Sequence, residues 1–535
     1  MKSMWLLEKF AGKDLERSTA RYLQQLAAAP LRASRDATSR VLRTLATMPG
    51  PTVYFGRTPW GEDVRVPLSD LVHAVGLVTG GMGAGKTMAS LLMLERLVRL
   101  LPQTRTLAFG VIDPKGELFD RALWLLAWRA NQLPPREREQ LLERIVVIDF
   151  SNREALSSYN ILARWPYAEE DYFITNRLET LRDLLPASEK LSLRGANVLK
   201  QILVLLSSAG LPLTYLNHVL GDEDFRQKLV AKCPNEEVRT YFTRHFAMEG
   251  KQTKEALRAR MESLFASEGV KLALAGETAP DFRSLQNEGK IVLINCSGPT
   301  ISRGVRLLLQ GLVLADIRQS IFARPVNPPV TYVWVADEAQ NFFLTKQQQE
   351  NMPDLLNMAR AYGSFFHLLC QNLSTAVPDG RILEMLHTNM RWSLTLRGSP
   401  NDAAFLKPAL PLTHRLRRPE THPFREAAIY SAEEERSLAH ASIASLPDRE
   451  GYLWLKTRSP YAIRLRTPPI HIPTGASFRE VVEALRGDPS FGQRVSRPQH
   501  AGLTQARATR VEGKTQEDLD AVLTENYQKK EEAYV

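Results

Sequence analysis

The chain has 535 residues, 44% hydrophobic and 24% charged, the make-up of a folded protein too long for one simple core. A formal net charge of +10 makes a polyanion, either nucleic acid or an acidic membrane surface, a fitting partner. Cys233, Cys296 and Cys370 lie far apart without metal-ligand spacing, which argues against a disulfide framework or a zinc module and for a reduced, cytoplasmic setting.

Residues 1–50 read as a helical, basic segment. Leu23, Leu26, Leu31, Val41, Leu42 and Leu45 lie among scattered arginines (Arg17, Arg21, Arg32, Arg35, Arg40 and Arg43), punctuated by Pro30 and Pro49-Gly50-Pro51. A solvated face is the plain explanation of those arginines; DNA, lipid or an acidic partner is the alternative. The opening MKSMWLLEKFAGKD breaks its apolar patch with charge at once, unlike a signal peptide. No apolar run approaches the roughly 18 residues of a membrane span. The expectation is a cytoplasmic protein, peripheral at the inner membrane, if at all, through partners.

Residues 52–68 alternate about Gly61 and predict a hairpin. Short apolar runs follow at Ala74–Val78, Leu107–Ile112, Ile145–Ile148, Ile291–Ile294, Val330–Ala336, Phe365–Cys370 and Trp392–Leu396. Such runs, alternating with helices, are what a parallel sheet covered on both faces requires. Residues 165–285 read instead as helix after helix, including Ser192–Ser207, Glu236–His245 and Lys254–Phe265. The predicted fold is α/β: a core with a mostly parallel sheet (51–164 and 286–484), interrupted by an all-helical insertion (165–285). A polar tail (485–535) is expected to be flexible.

The sharpest motif is Gly80-Gly81-Met82-Gly83-Ala84-Gly85-Lys86-Thr87, which fits G-x-x-x-x-G-K-[ST] between a strand and a helix. Gly80, Gly81, Gly83 and Gly85 let backbone N–H groups turn inward around a phosphate. Lys86 would neutralise the β- and γ-phosphates of ATP, and Thr87 would ligate Mg²⁺. Far downstream, Val333-Trp334-Val335-Ala336 is an apolar strand ending in Asp337-Glu338. Asp337 would hold the Mg²⁺ shell and Glu338 would orient and deprotonate the attacking water. Adjacent acids also occur at solvated strand ends, but pairing with a P-loop favours the hydrolytic reading.

With both motifs placed, the chain resembles the FtsK–HerA superfamily of ring ATPases, and within it the type IV coupling proteins of conjugation. Asp113-Pro114-Lys115-Gly116-Glu117-Leu118, Asp337-Glu338-Ala339-Gln340, the segment Met358 to Gly363 with Cys370-Gln371, and His387-Thr388-Asn389-Met390-Arg391 carry the resemblance. It spans roughly residues 52–470 and includes the position of the helical insertion. It implies a RecA-like core, ATP and Mg²⁺, a homo-hexamer, sequence-nonspecific DNA, and relaxase or type IV secretion components as partners. It also implies that Gln371 contacts γ-phosphate or lytic water and that Arg360 completes a neighbouring subunit's site, with Arg391 or Arg397 as alternatives. Asp113, Lys115 and Glu117 lie near the nucleotide or a subunit border, or simply form a turn. Two features depart from the family pattern: membrane-bound coupling proteins carry two N-terminal spans, and their P-loop usually reads T-G-S-G-K.

No base-reading motif is present, so DNA would be held through sliding phosphate contacts. Arg415, Arg417, Arg418, Arg464 and Arg466 are the candidates, although for the last two a half-solvated strand explains the spacing equally well. Three functions therefore compete: a coupling ATPase that translocates DNA, a HerA-like DNA-processing or packaging motor, and a secretion-assembly ATPase that does not touch DNA.

Overall fold

The computed structural model describes residues 35–36, 38–152, 155–165, 167, 169–184, 191–265, 268–276, 278–298, 301–343, 346–371, 373–377, 379–412, 430–472, 475–487 and 492–494. Arg17, Arg21, Arg32, Arg415, Arg417, Arg418 and nearly all of the tail lie outside them. The chain divides into two compact units: residues 1–96 with 368–470, and residues 97–367 with 471–535.

In the first unit, β1 (Thr52–Arg57) and β2 (Asp63–Pro67) form the expected antiparallel hairpin. Its turn closes through Thr58 N–H to Glu62 O and Gly61 N–H to Thr58 O. β1 pairs with β12 (Ile463–Arg466), β12 with β11 (Glu450–Leu455), and β11 with β10 (Met390–Leu396), all antiparallel. β10 then runs parallel to β3 (Val75–Thr79), which is buried along its whole length. Among the described N-terminal residues, 38–46 are helical; Arg40 and Arg43 are exposed while Leu45 is buried.

The second unit holds four parallel strands in the order β8 (Thr331–Ala336), β4 (Leu107–Asp113), β7 (Ile291–Asn295) and β5 (Ile145–Asp149). Their residues are almost all buried, as two covered faces demand. A short strand β6 (Ala155–Ser157) pairs antiparallel with β13 (Gly492–Arg494). β9 (Ser364–Cys370) passes from the second unit into the first, residues 364–367 belonging to one and 368–370 to the other.

All seven apolar runs are therefore strands. Between β6 and β7 the described elements are helices only, from Glu170–Leu184 to Phe282–Asn287. Side chains cap several of them: Ser192 accepts from Gly195 N–H, Asp222 from Phe225 N–H and Asn235 from Val238 N–H. One buried polar cluster ties this helical stretch to the helix Arg303–Phe322. Arg177 and Asp316 form an ion pair, Tyr159 donates its hydroxyl to Asp316, and Arg177 Nε donates to Ile161 O at 2.8 Å. All three side chains are nearly inaccessible, so each polar group depends on the others.

A repeated packing device fixes the core strands. Trp392 of β10 lies opposite Gly76 of β3, and Trp334 of β8 lies opposite Gly110 of β4. A Cβ at either glycine would sit 2.2 Å from the facing indole. Each glycine therefore makes room for a flat-lying tryptophan on the neighbouring strand. No helix among the described residues is long and apolar enough to cross a membrane.

Candidate functional site

The chain leaves β3 at Thr79 and turns through Gly80–Gly85 into the helix Lys86–Arg99. Gly83 and Gly85 have φ of +73° and +105°, the left-handed region that side chains resist. The loop is tied to its surroundings through the backbone: Gly80 N–H donates to Cys370 O, and Gly81 N–H donates to Arg397 O at 2.6 Å. Arg449 N–H donates to Ala84 O at 3.0 Å. Lys86 is 7% exposed, and its ammonium donates to Gly80 O and Gly81 O at 2.8 and 3.0 Å. A buried cation sits on a glycine-rich loop that leads directly into a helix N-terminus. That combination suits a polyphosphate. Thr87, half-buried in the first turn, is the hydroxyl that this loop type offers to a metal. Gln371 directly follows the carbonyl that accepts from Gly80, so the amide expected to sense phosphate is one residue from the cradle.

In the second unit the parallel strands change from apolar to polar at a common level. Asp113 and Asp149 both stand in register with Asn295, and Ala336, the residue before Asp337, is in register with Ile112. Asp337 N–H donates to Ile112 O at 3.0 Å, which places the two aspartates at adjacent strand tips. Asp113 is fixed, accepting Lys115 N–H at 2.7 Å and Phe119 N–H at 2.9 Å. Burial, then the neighbouring charges of Asp113 and Glu338, push the Asp337 carboxyl up to about 7. Glu338 has φ +48°, an uncommon conformation for a long side chain. Its carboxylate is gripped from two sides, by the Lys115 ammonium and the Gln340 amide. The D-P-K-G-E-L segment is thus more than a turn, since its lysine holds the second acid of the D-E-A-Q segment.

Among the described residues, no cluster of three or more His, Cys, Asp or Glu side chains is arranged to hold a metal ion by itself. Mg²⁺ binds through one or two protein oxygens plus phosphates and waters, and the Thr87 hydroxyl and the Asp337 carboxyl are each ligands of that kind. A cation beside Asp337 would also favour the ionised form that burial now resists.

No family model matches the sequence, and no curated protein matches it significantly. Solved structures do match. VirB4 of Thermoanaerobacter pseudethanolicus superposes with a TM-score of 0.50 at 17% identity, covering 79% of this chain and 98% of that one. The chain has the fold of VirB4. TrwBdeltaN70, a bacterial conjugative coupling protein, gives a TM-score of 0.48 at 13% identity over 82% of this chain and 93% of that one. The plasmid coupling protein TrwB in complex with ADP and Mg²⁺ gives 0.46 at 14%, over 85% and 94%. At these identities the VirB4 likeness is one of fold, and it agrees with the expected α/β, RecA-like core with a helical insertion.

The other residues singled out in the sequence are dispersed. Arg360 is exposed on the short 3₁₀ turn Ala359–Tyr362, whose carbonyls are capped by Gly363 N–H. Arg391 is exposed on β10, and Arg397 is ion-paired with Asp448 at 2.7 Å. Arg464 and Arg466 are the two outward residues of β12, and Arg464 pairs with Glu450 at 3.1 Å. Sequence reading missed the grip of Lys115 and Gln340 on Glu338. It also missed Arg449, which contacts the cradle from the turn before β11. Neither is announced by a local pattern, because both depend on segments brought together by folding.

Proposed function

We propose that this chain is an ATP-hydrolysing motor of the conjugation and type IV secretion type, assembling as a homo-hexamer that moves or delivers DNA. The cradle carries the reading: a buried lysine set on a loop of left-handed glycines between a buried strand and a helix. Gly80, Gly81, Gly83, Gly85 and Lys86 hold the phosphates of ATP, and Thr87 with Asp337 hold Mg²⁺. The metal would supply charge neutralisation at the transferring phosphoryl group. Glu338 is the base that orients and deprotonates water, and Gln371 reports on the γ-phosphate. Exposed Arg360 completes a neighbour's site in trans. Residues 165–285 form an inserted helical domain between the two parts of the nucleotide-binding core. The motifs of the FtsK–HerA type and the VirB4 fold support this reading together.

DNA is the substrate class that needs its own test, since the alternation and ion pairing of Arg464 also suit a plain half-solvated strand. ATPase rates should be measured with no DNA, single-stranded DNA and double-stranded DNA, alongside particle mass. Stimulation by either DNA supports the translocase; unchanged rates on both favour a secretion-assembly ATPase. Lys86→Ala should abolish nucleotide binding or turnover. Glu338→Gln should retain ATP without hydrolysing it, and normal turnover by that variant would remove Glu338 from its role. Arg360→Ala subunits should poison wild-type neighbours, whereas a purely additive loss would count against a trans arginine.

A further inference from the structure

Among the described residues, three that are not glycine have positive φ: Asn327, Glu338 and Arg449. Asparagine tolerates that region. The other two are long charged residues for which it is disfavoured, and one of them is the proposed lytic acid. Backbone strain of this kind gathers at functional sites and persists where the surroundings enforce it. Arg449, at φ +65°, is enforced from both sides. Its N–H donates to Ala84 O of the cradle at 3.0 Å, while its own carbonyl accepts Thr467 N–H at 2.8 Å and the Thr467 hydroxyl at 3.2 Å.

Its side chain starts against the cradle. A Cβ built on Gly85 would lie 3.0 Å from Arg449 Cγ, so the arginine stem fills the space that the missing side chain leaves. The preceding residue, Asp448, neutralises Arg397, whose carbonyl accepts from Gly81. Arg449 itself has no ion-pair partner among the described residues. Two arginines therefore flank the loop, one spent on a carboxylate and one left as a net positive charge. A guanidinium presents paired donors that match phosphate oxygens.

We infer that Arg449 is a ligand, within its own subunit, for the polyphosphate of the nucleotide held by the Gly80–Lys86 cradle. The inference rests on the ATP-binding reading above. It explains why an arginine occupies a position where glycine would be free of strain: the backbone aims this side chain at the loop.

The test uses the full chain with a fluorescent ATP analogue, competition by inorganic pyrophosphate, and thermal melting without nucleotide. Arg449→Met keeps the stem on Gly85 and removes the charge, Arg449→Lys keeps a charge, and Arg449→Gly relieves the backbone. The Met and Gly variants should lose about 10- to 100-fold in affinity for both probes, while Lys recovers part of the loss. Arg449→Gly should melt no lower than wild type. Wild-type affinity for both probes in the Met variant would overturn the inference and reduce Arg449 to a structural residue. Weaker binding of the ATP analogue with unchanged pyrophosphate competition would also overturn it, because the contact would then be to base or ribose. If wild type binds neither probe and Lys86→Ala changes nothing, the ATP-binding reading itself falls.

Discussion

Replacing Asp337 by asparagine should stabilise the nucleotide-free protein while abolishing turnover. Asp337 is 5% exposed, and the fold pushes its carboxyl from an ordinary value of 3.8 up to about 7. Burial is the first cause, and the charges of Asp113 and Glu338 add to it. Between those two pH values the folded state holds a proton that the unfolded state has lost. Stability therefore falls as pH rises from about 4 through about 7. Each decade is worth about 1.4 kcal/mol, so the full span corresponds to about 4 kcal/mol of ionisation strain at pH 8. The substituted amide carries no charge and escapes it. Thermal melting of wild type and Asp337→Asn at pH 5 and pH 8, without nucleotide or Mg²⁺, reads the difference directly. The variant's advantage should be larger at pH 8, by several degrees. On the proposed function, Mg²⁺ with nucleotide should narrow it by stabilising wild type more than the variant. An advantage that is absent, or equal at the two pH values, would refute the buried-carboxyl argument.

Arg177→Met should cost about 3–5 kcal/mol in denaturant unfolding, because it strands the buried Asp316 carboxylate without its ion pair; a loss below about 1 kcal/mol would show that the cluster is solvated. Gly110→Ala should cost about 1–3 kcal/mol by overpacking Trp334, and pairing it with Trp334→Leu should recover part of that loss, visible as a raised denaturant midpoint. Lys115→Met should lower kcat about tenfold or more with little change in KM for ATP, since it loosens Glu338 and leaves the residues of the cradle themselves unchanged. A rise in KM with unchanged kcat would instead assign Lys115 to binding.

Much of this architecture was legible because it is written in short windows. Runs such as IVVID and IVLIN are apolar at nearly every position, which suits strands covered on both faces, and they became β5 and β7. The glycines and lysine of the cradle lie within one loop and carry their own geometry. The antiparallel additions were harder to read. β11 and β12 are brief, β12 alternates exposed with buried residues, and its arginines resemble a surface patch as much as a strand. β6 and β13 are three residues each and pair across most of the chain. Contacts such as Lys115 with Glu338, 223 residues apart, follow from strand order, which composition and periodicity do not encode.

The strand order also accounts for the character of the acidic corner. Parallel pairing sets Asp113, Asn295 and Asp149 at one level, and the bond from Asp337 N–H to Ile112 O brings Asp337 beside Asp113. A sheet that buries its strands to the tip must either end in apolar residues or leave acids with little water. This chain does the latter, and it compensates only in part: Asp113 takes two backbone N–H groups and Glu338 takes a lysine and an amide. Asp337 is left to hold its proton. Such a corner is under-neutralised by its own side chains, and on the function proposed above a cation brought in from outside would satisfy it. Stability given up by the empty corner would then be recovered when a cation binds, so Mg²⁺ added with nucleotide should raise the melting temperature of wild type more than that of Asp337→Asn.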